Sequence, residues 1–205
     1  MKKYFIILVL LTLAIFISGC IGLLTTPGDD SIAPGKGRLE IYLTDSSEKY
    51  KVNDPETYSE VNITISEIKV HLAGEDEEAE GEWIGWPLTG VNEFDLIQLK
   101  NDGISELFSE KELDPGKYTQ IRLFVIDILI DIELGESGVP VEIPSAYQTG
   151  LKLIHPFEIV DGEITELTID FDAEKSIIKT GDGNYKLKPV IKVVTVSTGE
   201  VEEED

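Results

Sequence analysis

From Arg38 onward, apolar residues fall on alternate positions in short runs, each closed by Gly, Pro, Asp, Asn or Ser. Leu39, Ile41 and Leu43 alternate with Glu40, Tyr42 and Thr44 and stop at Asp45-Ser46-Ser47. A strand turns successive side chains to opposite faces, so this period buries one face and wets the other. Val61, Ile63 and Ile65 repeat the pattern, and Ile68, Val70 and Leu72 continue it on the opposite parity, which places a bulge near Ser66-Glu67. Further strands are expected over 83–88, 94–99, 139–143, 150–154, 164–171, 176–179 and 185–196, the last with Pro189 at an edge or bulge because it has no N–H to donate. The longest apolar run, 118–134, has Ile121, Leu123 and Val125 on one parity and Ile126, Ile128, Ile130 and Ile132 on the other. It reads as a bulged long strand or as two strands with a corner. The single helix expected is short, over 103–112, where Ile104, Leu107 and Phe108 have helical spacing. Strands at intervals of about ten residues, without a βαβ rhythm, predict an all-β chain, an antiparallel β-sandwich of immunoglobulin-like strand spacing or a related barrel, with at most one short helix.

Ahead of the strands stands a different kind of segment. Lys2 and Lys3 precede an apolar run from Tyr4 to Ile17, and Ser18-Gly19-Cys20 follows it. This is the layout of a secretory leader, and the run of about fourteen residues is shorter than the ~20 that a spanning helix needs. A Cys directly after Ser-Gly matches a lipobox, so lipid on Cys20 is expected, an uncleaved signal anchor being the alternative. Cys20 is the only cysteine in the chain and has no partner for an intrachain disulfide. Residues 25–37, TTPGDDSIAPGKG, have no periodic apolar face and read as a short tether. The expected division is a leader at 1–19, lipidated Cys20 and linker at 20–36, one domain at 37–196 and an acidic tail at 197–205. The expected location is the extracytoplasmic side of the cell membrane, held by the lipid.

The formal net charge is −23, and losing Lys2 and Lys3 with the leader takes it to −25. Such a surface repels nucleic acid and anionic headgroups, so the lipid, and not a basic patch, is expected to touch the membrane. With 41% apolar residues the chain still has material for one ordinary core.

No catalytic string is present. His71 and His155 are the only histidines and lack zinc-ligand spacing. Gly135-Glu136-Ser137-Gly138 has the wrong spacing for a nucleophile elbow, and Gly181-Asp182-Gly183 lacks the span and Lys of a phosphate loop. Acids are abundant. On a strand Asp170, Asp172 and Glu174 share one face, and with Asp182 in the following loop they form a candidate calcium site, against the simpler reading of a solvated polar face. Asp127, Asp131 and Glu133 have the same two readings. Acid pairs also suit a general acid and base for glycoside cleavage, although forty acids make chance pairs common. Trp83 and Trp86 flank Gly85 and serve either as sugar-stacking platforms or as core. Asn62-Ile63-Thr64 is a glycosylation sequon on the polar side of its strand.

The blocks GRLEIYLTDS from Gly37, VNITISEIKVHL from Val61, FDLIQL from Phe94, LDPGKYTQIRLFV from Leu113, QTGLKLIHPFEI from Gln148 and LTIDFDAEKSIIKTGDGNYKLKPVIKV from Leu167 resemble a family of prokaryotic, often archaeal, cell-surface lipoproteins known as domain of unknown function 4382. Leu113 to Val125 is also similar, more weakly, to the Pro-Gly-x-Tyr strand start of transthyretin-like and collagen-adhesin-B-like sandwiches. The resemblance implies a location and a domain extent, and no activity. The combined expectation is a non-enzymatic, lipid-anchored module that binds or organises a glycan, a surface protein or a calcium-dependent neighbour at the envelope. No cofactor other than calcium is expected. The competing class is an envelope carbohydrate hydrolase using paired carboxylates.

Overall fold

The computed structural model describes residues 31–46, 58–74, 80–89, 92–132 and 135–200. The leader, Cys20 and the tail beyond residue 200 lie outside the described residues, as do Glu133 and Leu134. In chain order the elements are β1 (Gly37–Thr44), β2 (Tyr58–Leu72), β3 (Glu82–Pro87), β4 (Glu93–Asp95), α1 (Leu96–Asp102), β5 (Glu106–Leu113), β6 (Gly116–Ile132), β7 (Val139–Glu142), β8 (Leu151–Leu153), β9 (Phe157–Ile159), β10 (Glu163–Phe171), a helical turn α2 (Ala173–Ser176), β11 (Ile177–Lys179), β12 (Tyr185–Leu187) and β13 (Ile191–Glu200). A 3₁₀ turn, Ser145–Tyr147, precedes β8. None of the described helices is long and apolar enough to cross a membrane.

The strands form two sheets. One runs β13-β10-β1-β5, and the other β11-β12-β7-β6-β2-β3, with β4 added on β2 and β8 and β9 on β6. Most pairs are antiparallel, but β1 runs parallel to β10 over Arg38↔Ile164 to Thr44↔Asp170, and β12 runs parallel to β7. Alternation explains the interior. Leu39, Ile41 and Leu43 of β1 are fully buried, as are Ile63, Ile65, Ile68 and Val70 of β2 and Ile121 and Leu123 of β6, all in one shared core. Each such side chain contributes roughly 1.5–3 kcal/mol by leaving water.

β2 and β6 change parity together. Register runs Thr64↔Asp127, Ile65↔Val125 and Glu67↔Phe124, so Ser66 on one strand and Ile126 on the other are extra residues. The bulge expected near Ser66 is present, and 118–134 resolves as one bulged strand over its described part. Each bulge turns two neighbouring residues outward and returns the next Ile to the core, which is why Ile126 is 60% exposed between buried Val125 and Ile128.

The helix lies elsewhere than expected. Segment 103–112 mostly forms edge strand β5, whereas the apolar run 94–99, read as a strand, turns into α1 after two residues. Asp95 caps α1 by accepting a hydrogen bond from Ile97 N at 3.0 Å, and Gly103, at φ 64°, ends it in the left-handed region. The run 185–196 is likewise two strands. Pro189 falls between β12 and β13, which belong to different sheets.

Candidate functional site

The outward face of β2, β3, β6 and β8 carries the densest arrangement of chemically distinctive side chains. Trp83 and Trp86, two strand positions of opposite parity, separate completely. Trp86 is 8% exposed, points into the core and donates from Nε1 to Ser109 Oγ at 2.9 Å. Trp83 is 39% exposed on the outer face. Arg122 Cζ lies 4.3 Å from its ring centroid, and the His71 ring stands 4.9 Å away at 51°. His71 Nδ1 shares a 2.8 Å hydrogen bond with Thr119 Oγ1, which fixes the imidazole beside the indole. The neighbouring contact repeats the theme, with Lys69 Nζ 4.8 Å above the Phe124 ring and 3.3 Å from Glu67 Oε1. Cation–π contacts of this exposed kind contribute about 0.5–1 kcal/mol each and hold the rings in place.

Register makes a row of the cations. Gly85 stands opposite Lys69, Lys69 opposite Arg122, and Arg122 opposite Lys152. Directly paired side chains share a face with Cβ atoms about 5 Å apart. The glycines keep the surface low. A Cβ on Gly85 would come within 2.9 Å of Lys69 Cγ, and one on Gly150, at φ 90°, within 3.1 Å of Arg122 Cβ. Arg122 Nη1 donates to the Thr149 carbonyl oxygen at 3.3 Å, while its buried Nε and the buried Gln120 Nε2 find no acceptor among the described residues.

The acids named from the strand pattern do not share a site. Asp170 does lie on β10, but it is 3% exposed, accepts from Ser46 N at 2.8 Å and pairs with Lys192 Nζ at 3.3 Å. The strand ends at Phe171, so Asp172 and Glu174 do not continue its face. Asp172 instead caps α2, accepting from Lys175 N at 3.0 Å and Lys175 Nζ at 2.5 Å. Glu174 Oε1 meets Lys100 Nζ at 3.1 Å. Asp182 sits in the β11–β12 hairpin, accepting from Thr180 Oγ1 at 2.5 Å and Asn184 Nδ2 at 2.8 Å, which holds its carboxyl below the ordinary 3.8. The expected calcium set of Asp170, Asp172 and Asp182 is not brought together: the three carboxylates have separate partners, and no group of three or more His, Cys, Asp or Glu among the described residues is placed to hold a metal. Asp45, missed in the sequence, belongs with the capping acids, its Oδ2 accepting from Ala173 N at 3.0 Å.

Two other positions resolve simply. Asp131 accepts from Gly138 N at 2.6 Å, a loop contact. Asn62 is half-buried on β2 between Leu129 of β6 and Asp95 of β4, with Nδ2 donating to Glu60 Oε2 at 3.3 Å.

The family described as Domain of unknown function (DUF4382) matches residues 36–189, three quarters of the chain. The chain belongs to the DUF4382 family. No curated protein and no solved structure matches it. The DUF4382 span holds every residue of the Trp83 face and ends at Pro189, before β13.

Proposed function

We propose that this DUF4382 protein is a lipid-anchored, extracytoplasmic β-sandwich of the archaeal-type surface lipoproteins, related to transthyretin-like modules, that binds saccharide at the cell envelope without catalysing a reaction. The observation that carries the reading is Trp83, 39% exposed and braced by Arg122 and His71 on an open sheet face. An exposed indole held by its neighbours presents apolar area to the C–H face of a sugar ring at little cost in conformational entropy. Binding is favoured over hydrolysis because Asp45, Asp170 and Asp172, the buried carboxylates, accept from backbone N–H groups and Lys side chains. The leader-like segment and Cys20 support the anchor.

The test has two arms. Cys20→Ser should move the protein from the membrane to the soluble fraction; full retention sinks the anchor. In affinity electrophoresis through gels cast with envelope polysaccharide, Trp83→Ala should abolish retardation, while Trp86→Phe should keep it. Equal retardation of Trp83→Ala and wild type would remove the face from the reading.

A further inference from the structure

We infer that the saccharide is acidic, its carboxylates read by the row Lys69, Arg122 and Lys152. The inference rests on the saccharide reading above and adds the ligand class.

Two observations converge. First, the chain has 17 basic residues against 40 acidic ones, yet three of the basic ones fall in one lateral row across neighbouring strands. Like charges directly opposite one another are unfavourable in a sheet, and in so acidic a chain neutralising partners would be easy to supply. Among the described residues, however, only Lys69 has a carboxylate, Glu67, within 4 Å, and Arg122 and Lys152 have none. A fixed anion from outside relieves that repulsion. Second, the row borders the aromatic positions. Arg122 touches Trp83 and Lys69 touches Phe124, so a ring stacked on the indole brings its substituents to the cations. Guanidinium matches a carboxylate in a two-pronged geometry, and ammonium groups on either side suit successive acidic units along a polymer.

Neutral glycan leaves Arg122 and Lys152 unpaired, and a simple polyanion leaves Trp83 unstacked. A uronic-acid polymer satisfies both halves of the face.

The experiment titrates the full-length chain in mild detergent with polygalacturonate, with its fully methyl-esterified form and with polyglutamate. The expected result is polygalacturonate binding at least tenfold tighter than either of the others. Lys152→Glu, a change at an exposed position, should weaken polygalacturonate at least tenfold and leave the ester unchanged, and Arg122→Gln, which also unbraces Trp83, should weaken polygalacturonate at least tenfold more than it weakens the ester, with melting midpoints confirming that both variants fold. Trp83→Ala should weaken both sugars. Equal affinity for acid and ester overturns the acidic class while the saccharide reading stands. Equal affinity for polyglutamate and polygalacturonate shows that charge alone is read and overturns the inference. Failure to bind either sugar polymer overturns both.

Discussion

The Tyr118 hydroxyl donates to the Asp114 carbonyl oxygen at 2.9 Å, and its fully buried ring stacks on Phe157 at 5.2 Å. Burial, aided by Asp114 and Glu82, pushes this hydroxyl up from 10.0 to about 12. The folded state thus keeps the proton that the unfolded chain releases. Its contribution to stability is whole below pH 10 and is lost as pH rises toward 12. Thermal melts at pH 9 and pH 11.5 check this: Tyr118→Phe should cost about 1 kcal/mol at pH 9 through the lost hydrogen bond, yet decline less than wild type between the two. Parallel curves would place the alkaline loss elsewhere, with Tyr42, also raised to about 12 by burial and Glu40, the next candidate. At this scale the sequence was legible only in part. Trp83 and Trp86 have opposite parity, so one of them had to face outward, but nothing along the chain said which. Lys152 lies thirty residues from Arg122, and no spacing rule joins them until β8 pairs with β6.

Elements were readable where their own period ruled and misread where a bulge altered it. β5 shifts register against Ile41/Tyr42, pairing Ser109 and Leu107 in succession and skipping Phe108. Two adjacent apolar residues then sit on one strand and, with Ile104, imitate helical spacing. In α1 the signals were present, Asp95 ahead of the turn and Gly103 behind it, but a helix of seven residues leaves too few apolar positions to separate its period from a strand's. The paired bulges of β2 and β6 give a sharper test. Deleting Ile126 leaves Val125 inward, Asp127 outward and Ile128 inward, a regular strand, whereas deleting Ile130 drives Asp131 toward the core. The Ile126 deletion should melt cooperatively within about 5 °C of wild type, and the Ile130 deletion should fail to fold, because burying an unpaired charge costs several kcal/mol. Similar melts for the two would show that register here does not follow the core pattern.

On the scale of the whole molecule, the all-β class followed from alternation, but strand direction did not, since period two is the same for parallel and antiparallel partners. The parallel β1–β10 pair joins segments more than 120 residues apart and sets β1 in the middle of its sheet. It also fixes where the domain begins and stops. Arg38 pairs with Ile164 and Glu200 with Glu163, so β1 starts and β13 finishes at the same end of β10, one on each flank. Two strand spacings separate them, about 10 Å, a gap that roughly five linker residues span. The domain is therefore close to a closed ring, and its order of synthesis is interchangeable. A circular permutant joining residue 200 to residue 37 and opened in the exposed hairpin at Gly181–Gly183 should fold, melt within about 5 °C of the parent and retain its polymer binding. A permutant that stays unfolded would mean that β1 must be made first for β10 to find its place.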